Sequence, residues 1–285
     1  GALREMKNGI SSGCSLCVRG FSVWRHGRET VHDVSFRLRP GLVGLLGPNG
    51  SGKTTLMKGM LDLGLKRQGE IWLESAGPGG EPMKTVRLER MAPRQLSACL
   101  AYVPQDTVSG GGFSALEFAA MGRTRFLSFL ENPGRDDYEA AGRALEEMGI
   151  RELADRSMDA LSGGERKLAW LARARVQEAQ WTILDEPAGG LDFGRQHDFF
   201  ASLKRTAGQR AMGILASIHD PQLAFTYCDQ VLFMKEGRIP AQVSRTDGDF
   251  EERFIRLAGG LYHMTGQTAE AMGEKPIIWR READA

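Results

Sequence analysis

The residues whose types and spacing are most specific for chemistry form one glycine-rich segment between a buried strand and a helix. Gly47-Pro-Asn-Gly-Ser-Gly-Lys53-Thr54 matches the pattern G-x-x-x-x-G-K-S/T. Its glycines let the backbone wrap around a phosphate, and the helix N-terminus adds a positive dipole end. We expect Lys53 to neutralise β- and γ-phosphates and Thr54 to bind Mg²⁺. The loop therefore predicts binding of a nucleoside triphosphate. The residues predicted to bind it are Gly47, Pro48, Asn49, Gly50, Ser51, Gly52, Lys53, Thr54 and Thr55.

Two adjacent carboxylates follow a second apolar strand, Trp181-Thr-Ile-Leu-Asp185-Glu186. Such a pair is costly unless it faces a metal ion or solvent. A strand that emerges beside the phosphate loop would place Asp185 near Mg²⁺ and leave Glu186 free to orient or deprotonate a water. Taken alone, the pair is also compatible with a solvated strand end. Together with the phosphate loop, the carboxylate pair predicts hydrolysis of the bound nucleotide.

A second candidate anion site is the segment Leu161-Ser-Gly-Gly-Glu165, which precedes an amphipathic helix. A serine and two glycines at a helix start favour anion binding. One nucleotide needs only one such loop in its own chain. The second loop therefore predicts contact with a nucleotide that another subunit holds, through Ser162, Gly163, Gly164 and Glu165.

The elements that must position these residues alternate between strand and helix. The predicted strands are residues 18–24, 30–38, 42–46, 71–73, 100–103, 181–184, 212–218 and 230–234. The predicted helices are residues 53–63, 195–206 and 221–227, together with one that follows Ser162. Asp220 and Pro221 fit an N-cap followed by proline at the first helical position. This alternation predicts a parallel sheet with helices on both faces.

A mostly helical stretch, residues 115–153, interrupts the alternation and predicts an inserted helical lobe. It is broken around residues 132–134, and either Asp136 or Asp137 is the predicted N-cap of the helix that runs to Met148. Residues 75–81 are predicted as a loop and residues 109–112 as a turn from their glycine content.

Composition sets limits on the function. The chain has 37 Lys+Arg against 36 Asp+Glu, so a basic face for nucleic acid is not required, and we expect no nucleic-acid partner. Its apolar runs are strand-length, far below the ~20 residues that span a bilayer. We expect a soluble chain that reaches a membrane only through a partner. Residues 1–13 lack the apolar region of a secretory signal and are predicted as a disordered N-terminus or an added remnant.

The four cysteines include one C-x-x-C pair, Cys14 and Cys17. A zinc site usually needs a second ligand pair at a characteristic spacing, and the sequence has none. Reduced cytosolic thiols are therefore the favoured interpretation, with a redox or metal role as the alternative.

Taken together, these residues resemble the ATP-binding subunits of ABC transporters. Leu161–Glu165 reads LSGGE, the signature motif of that family. Gln105 resembles the Q-loop glutamine, which contacts the metal and water and couples to the permease. Asp192 resembles the D-loop aspartate, and His219 resembles the switch histidine that contacts the γ-phosphate. The resemblance covers residues 18–240.

The resemblance implies an α/β fold: a P-loop NTPase (RecA-like) core with an N-terminal antiparallel β subdomain and an inserted α-helical subdomain. The implied boundaries are an ABC ATPase domain at residues 14–245, a helical subdomain at about 106–160, and a C-terminal extension at 246–285 packed on the core. It also implies catalysis by Glu186, His219 and Gln105, and Mg²⁺ bound by Thr54, Gln105 and Asp185.

The same resemblance implies an assembly. Family members form head-to-tail dimers that hold two ATP molecules between a phosphate loop and the partner's signature motif. Because the chain has one set of motifs, a homodimer or a close paralogue is required. The implied partners are integral-membrane permease subunits and, indirectly, a substrate-binding protein. The implied location is peripheral, on the cytoplasmic face of the inner membrane.

The sequence departs from the family at the position that usually stacks an aromatic ring on adenine. Arg25 occupies that position, next to Trp24. Either the Arg25 guanidinium or the Trp24 ring is able to stack on adenine. Trp24 as a simple core residue is the equal alternative.

Four weaker matches concern the branch of the family. Met121-Gly-Arg-Thr-Arg-Phe126 resembles a segment of importer ATPases for iron–siderophore, haem and cobalamin. Residues 173–178, residues 219–224 and the tail at 259–262, which is followed by the strand-like residues 276–279, point the same way. These matches imply import of an iron chelate, haem or a cobalamin-type substrate.

Three alternatives stay open. One is another transporter branch, such as an exporter. The second is a soluble ABC ATPase that acts on ribosomes or DNA, which the single ATPase domain and balanced charge disfavour. The third is a regulatory subunit that binds ATP without hydrolysing it, which the presence of both Glu186 and His219 disfavours.

Overall fold

The computed structural model describes residues 13–76, 82–106, 111–127, 131–210, 212–268 and 276–281. The strands are β1 (Ser15–Arg25), β2 (Arg28–Leu38), β3 (Gly41–Leu46), β4 (Lys66–Ala76), β5 (Pro82–Arg87), β6 (Leu100–Val103), β7 (Trp181–Leu184), β8 (Gly213–Ile218), β9 (Gln230–Lys235), β10 (Arg238–Ser244), β11 (Met264–Thr268) and β12 (Ile277–Arg281). The α-helices are α1 (Lys53–Met60), α2 (Pro93–Cys99), α3 (Ala115–Ala120), α4 (Arg135–Glu147), α5 (Gly163–Val176), α6 (Phe193–Arg210), α7 (Pro221–Tyr227) and α8 (Phe250–Tyr262). Short 3₁₀ helices span Met121–Phe126, Arg151–Leu153 and Met158–Ala160.

The chain forms two compact units. The first comprises Gly1–Glu89 and Phe199–Ala285, and the second comprises Arg90–Asp198. Each unit has its own buried residues.

An antiparallel sheet in the first unit has the strand order β2-β1-β4-β5. Strand β1 lies between its neighbours, with Leu16 opposite both Leu38 and Leu73. Gly69 is required here, because its φ is +109° and a Cβ would lie 2.4 Å from the carbonyl oxygen of Gly20. This sheet is the antiparallel β subdomain that the resemblance implies.

A second sheet of the first unit has β3 at its centre, parallel to β8 on one side and to β9 on the other, while β10 pairs antiparallel with β9. All residues of β3 from Leu42 to Leu46 are buried. A strand covered on both faces reads as a continuous apolar run, which is why the sequence pattern identified it. Leu46 pairs with Ile218, so the carboxyl ends of β3 and β8 lie side by side.

The C-terminal elements pack on this second sheet. Helix α8 contacts β9 and β10, and the following β11 pairs antiparallel with β12. Phe254 is fully buried and lies 5.5 Å, between ring centroids, from Phe233 on β9. Phe254 also lies 5.3 Å from Phe225 on α7. These aromatic contacts fix α8 to α7 and β9.

The second unit contains a parallel pair, β6 and β7, and a helical cluster made by α3, α4 and α5. The helical cluster has its own core, which includes Phe118, Leu145 and Met158. The 3₁₀ helix at Met121–Phe126 passes so close to α5 that a Cβ on Gly122 would lie 2.1 Å from the carbonyl oxygen of Arg173. The predicted inserted helical lobe and the predicted parallel strands are thus confirmed, and with them the α/β fold class.

Several predicted boundaries are wrong. Gly134, not Asp136 or Asp137, is the N-cap of α4, and Asp137 instead accepts the Gly134 N–H from the third helical position. Helix α1 ends at Met60 rather than at residue 63. Residues 75 and 76 belong to β4, while the rest of that predicted loop and residues 109 and 110 of the predicted turn lie outside the described residues.

Five elements were not predicted: β5, α2, β10, α8 and β11. Helix α2 and strand β11 are short and contain few apolar residues, so their periodicity is weak, whereas Phe250, Phe254 and Leu261 of α8 repeat at helical spacing and are a signal that the sequence analysis missed. In the described part of the chain, no helix is both long and apolar enough to cross a membrane.

Candidate nucleotide site

The glycine-rich loop occupies the turn from β3 to α1 in the first unit. The Lys53 ammonium is buried and donates hydrogen bonds to the carbonyl oxygens of Gly47 at 2.6 Å and Pro48 at 3.0 Å. The helix begins after Gly52, whose φ of 107° is in the left-handed region that glycine tolerates. The loop therefore bends back over its own lysine, which lies at the positive end of α1.

The loop also contains a buried hydroxyl group suited to a ligand. Ser51 Oγ is shielded from solvent and has no hydrogen-bond partner among the described residues. Buried polar atoms are almost always paired in native proteins, so an unpaired one next to a buried lysine fits an incoming anion. Thr54, the second residue of α1, is half-buried.

His219 lies beside this loop. It follows β8 directly, and its Nδ1 is 3.4 Å from the Lys53 ammonium. The parallel pairing of β3 and β8 brings these two residues together, since both follow strands that end at the same edge of the sheet. The site that the sequence predicted from separate motifs is assembled here as one group of loop, lysine and histidine.

The carboxylate pair follows β7 in the second unit. Asp185 is 1% exposed, and its Oδ2 accepts a hydrogen bond from the Tyr102 hydroxyl at 3.5 Å. Burial and the charge of Asp185 raise the pKa of Tyr102, so the phenol stays protonated and able to donate. The sequence analysis missed Tyr102, because its place beside Asp185 depends on the pairing of Val103 with Leu184.

Glu186 lies in a confined position. Gln105 Nε2 donates to Glu186 Oε2 at 2.7 Å, and the Lys167 ammonium donates to the backbone oxygens of Glu186, at 3.2 Å, and of Gly189. Burial lowers the pKa of Lys167. The φ of Glu186 is 45°, which is uncommon for a residue with a side chain. Two side chains thus fix Glu186, one at its carboxylate and the other at its backbone.

The serine of the LSGGE segment caps helix α5. The Glu165 N–H donates to Ser162 Oγ at 3.3 Å, and the Ser162 N–H donates to Glu165 Oε2 at 2.8 Å, which is a complete capping box. The Ser162 backbone bond lowers the pKa of Glu165. The Glu165 carboxylate therefore serves the helix cap, and Ser162 and Gly163 are exposed at the helix N-terminus.

Asp192 lies near this helix start. It is exposed, and its Oδ1 accepts the Arg195 N–H at 3.0 Å. The adjacent Leu191 packs on Gly164, where a Cβ would lie 2.9 Å from Leu191 Cδ2. Within the second unit, the structure thus brings the start of α5 next to the segment that contains Asp192.

The candidate adenine contacts lie on the turn from β1 to β2. Trp24 is half-buried, with the Lys66 ammonium 5.0 Å from its ring centroid, and Arg25 is exposed. Both residues line a surface cavity together with His26 and Lys66. His26 was not among the predicted contacts, although its place in the turn next to Gly27 is a local signal.

All four cysteines are buried, and none of them forms a disulfide bond. Among the residues that the structure describes, no group of three or more His, Cys, Asp or Glu side chains is arranged to hold a metal ion.

Comparison with known proteins identifies the family. The ABC transporter family matches residues 31–189. This chain belongs to the ABC transporter ATP-binding subunits. It is 36% identical to the hemin import ATP-binding protein HmuV of Myxococcus xanthus, over 80% of this chain and 86% of that protein. It is 31% identical to the ferric enterobactin transport ATP-binding protein FepC of Escherichia coli, over 76% and 77% of the two chains.

A solved structure agrees on the fold of this ATP-binding subunit. An ABC transporter described as metal-chelate type, in an inward-facing conformation, has a TM-score of 0.75 at 23% identity and covers 95% of this chain and 98% of that one. The P-loop NTPase fold is therefore confirmed, as are ATP binding and ATPase activity as properties of the family. ATP-binding subunits of this family dimerise and work with membrane permease components.

Proposed function

We propose that this chain powers an ABC importer for haem, an iron chelate or a cobalamin-type substrate. The observation that carries the proposal is its identity to hemin and ferric enterobactin import subunits along more than three quarters of the chain. The Met121–Phe126 segment, which resembles importer ATPases, lies against α5 and so belongs to the helical cluster of the second unit. A transport role is favoured over action on ribosomes or DNA, because the named relatives are transport subunits.

The phosphate loop would hold the ATP phosphates through its backbone N–H groups, Ser51 Oγ and the Lys53 ammonium. Buried Lys53 already satisfies loop carbonyls, and the unpaired Ser51 hydroxyl is available for a phosphate oxygen. Trp24 and Arg25 are the proposed adenine contacts, because both line one cavity on the first unit. A ring or a guanidinium plane there is able to stack on a base.

Mg²⁺ fits the oxygen donors that the sequence singles out. Thr54, Gln105 and Asp185 supply a hydroxyl, an amide oxygen and a carboxylate, and Mg²⁺ prefers such ligands and takes few of them from protein. Asp185 is buried, and the hydrogen bond that it accepts from Tyr102 holds its carboxylate in one orientation. When bound, Mg²⁺ would neutralise charge on the phosphates.

Hydrolysis is assigned to Glu186, His219 and Gln105. The Glu186 carboxylate would orient or deprotonate the attacking water, and Gln105 holds that carboxylate at 2.7 Å. His219, next to Lys53, would contact the γ-phosphate. Each group would act on developing charge from a fixed position, which is how phosphoryl transfer is accelerated.

The active assembly is proposed to be a head-to-tail homodimer. Exposed Ser162 and Gly163 at the start of α5, with Gly164, Glu165 and Asp192, would face the ATP that the other subunit binds. The ATPase domain is assigned to residues 14–245, with a helical subdomain at about 106–160 that binds the permease and an extension at 246–285. The dimer would lie on the cytoplasmic face of the inner membrane, below a permease served by a substrate-binding protein.

The direct test is purification of the tagged chain from detergent-solubilised membranes of its native host, with mass spectrometry of the co-purifying proteins. An unrelated tagged cytosolic ATPase is the control. We expect a polytopic permease in the eluate, and we expect haem or a ferric chelate on its binding protein to stimulate ATP hydrolysis after reconstitution in vesicles. Recovery with ribosomes or DNA instead would overturn the transporter assignment, and an exporter permease would overturn the import direction.

A further inference from the structure

The backbone carbonyl of His219 has a hydrogen-bond partner from the C-terminal part of the chain. The Tyr262 hydroxyl donates to this oxygen at 2.9 Å across 43 residues of sequence. Tyr262 is the last residue of α8 and is half-buried. Within the first unit, Tyr262 from the C-terminal part of the chain is thus bonded directly to His219, the histidine beside the phosphate loop.

His219 needs such a partner because of where it lies. It is the first residue after β8, whose Ile218 still pairs with Leu46. On its other side, Asp220 caps α7 by accepting the Gln222 N–H at 2.7 Å. Both flanks are held by regular structure, and the Tyr262 bond holds the peptide group of His219 itself. Without that bond, the Cα of His219 would be free to shift and would take with it the imidazole, whose Nδ1 now lies 3.4 Å from the Lys53 ammonium.

The Tyr262 phenol is a permanent donor. Burial raises its pKa, and the negative charge of Asp220 raises it further. A phenol whose pKa is already near 10 in water therefore keeps its proton at every working pH. The hydrogen bond to His219 does not switch with pH, which suits a fixed support.

A second contact from the tail reaches the same segment. The Ile277 N–H at the start of β12 donates to the Gln222 side-chain oxygen at 2.8 Å. Strand β12 pairs with β11, which begins two residues after Tyr262. The C-terminal part of the chain therefore holds the segment from His219 to Gln222 at two points. Helix α8, which carries Tyr262, is itself fixed by the buried Phe254 side chain.

We propose that Tyr262 is a positioning residue for ATP hydrolysis: its hydroxyl fixes the backbone of His219 and so sets the imidazole relative to the phosphates. The inference depends on the proposed role of His219 at the γ-phosphate. It assigns a function in the reaction to the C-terminal extension, which lies outside residues 18–240, the part of the chain that contains the nucleotide-binding motifs. Small misplacements of a catalytic group cost much of the rate, so loss of one hydroxyl should be measurable.

The test compares kcat and KM for ATP among the wild type, Tyr262→Phe, His219→Ala and the double variant. Tyr138→Phe is the matched control, because it removes a hydroxyl from an exposed tyrosine on α4. Each kcat is divided by the fraction of chains that bind ATP, so that misfolded protein does not count. For Tyr262→Phe we expect kcat to fall by about tenfold with KM within about twofold, and for Tyr138→Phe no change.

The double variant separates positioning from general stabilisation. If Tyr262 acts through His219, adding Tyr262→Phe to His219→Ala lowers kcat no further, because the group it positions is gone. The inference would be overturned if Tyr262→Phe lowered kcat by the same factor of about ten in the wild type and in His219→Ala. It would also be overturned if Tyr262→Phe had a normal kcat while His219→Ala was slow. Full activity of His219→Ala would instead overturn the proposed role of His219, which is a distinct result.

Discussion

Gln105 Nε2 donates a hydrogen bond to Glu186 Oε2 at 2.7 Å, which joins two motifs that are 81 residues apart in the sequence. The same glutamate has a left-handed φ of 45° and a backbone carbonyl held by Lys167. A non-glycine residue in this region costs of order 1–3 kcal/mol and persists where surrounding contacts fix it. The structure thus constrains the backbone of Glu186 and orients its carboxylate.

Glu186→Gln should abolish hydrolysis while ATP binding persists. The amide keeps the size of the side chain but is not a base, so we expect kcat to fall by at least about 100-fold. Size-exclusion chromatography in the presence of ATP should show a trapped dimer. Glu178→Gln is the control, because Glu178 is also a glutamate of the second unit with positive φ, yet it pairs with Arg123 at the surface. Unchanged turnover in Glu186→Gln would remove Glu186 as the catalytic base.

Ser162→Ala and Ser114→Ala should separate a helix cap from a nucleotide contact. Both serines form the same capping box, with Glu165 and Glu117 respectively, so each substitution should destabilise the protein by about 1 kcal/mol. Only Ser162→Ala should also abolish ATP-dependent dimerisation, because Ser162 is the proposed contact with the partner's nucleotide. Chemical denaturation measures the first effect and light scattering the second. Equal dimerisation of both variants would show that Ser162 is a cap alone.

Gly122→Ala should destabilise the second unit. Its new Cβ would lie 2.1 Å from the backbone oxygen of Arg173, so either the 3₁₀ segment or α5 must shift. Overpacking of this kind costs about 3 kcal/mol. Gly208→Ala on α6 is the matched control, since its Cβ would meet nothing within 4 Å and alanine should stabilise the helix by about 0.5–1 kcal/mol. Urea midpoints that move in the same direction for both variants would contradict the close contact at Gly122.

The thiols should be inert in the folded protein. All four are buried, and burial raises the pKa of both Cys17 and Cys228 to about 12, with the Glu74 charge adding to the effect at Cys17. Because the thiolate is the reactive form, Ellman's reagent at pH 8 should label the native protein only as fast as it unfolds. Denatured protein should react at all four positions. Rapid labelling of one native thiol would show that it is accessible.

The same pKa shifts predict loss of stability at alkaline pH. An ordinary thiol with a pKa of 9.0 loses its proton in the unfolded chain, while folded Cys17 and Cys228 keep theirs up to about pH 12. The folded state then binds more protons, so the free energy of unfolding falls as pH rises from about 9 towards 12. Urea titrations across that range should show a decreasing midpoint. A midpoint that stays constant would mean that these thiols titrate alike in both states.

Local rules explain which parts of the structure were predictable. The buried run at Leu42–Leu46 and the glycines after it predict strand, loop and helix because each signal lies within a few residues. The Ser162 and Asp220 caps follow from similar short patterns. The N-cap of α4 was mispredicted at Asp136 or Asp137. An aspartate can accept backbone N–H groups at the start of a helix either as the N-cap or from the first turn, and Asp137 does so from the first turn.

The amino-acid sequence by itself determined the chemistry of this protein: a phosphate loop, a carboxylate pair, the LSGGE signature and the family to which they belong. Their residue types and spacing are short-range properties of the chain. Tertiary structure alone decided that Lys53 lies beside His219, that Gln105 holds Glu186, and that Tyr262 supports the His219 backbone. Those distances depend on strand register and on the packing of α8, which join residues far apart in sequence and leave no local pattern.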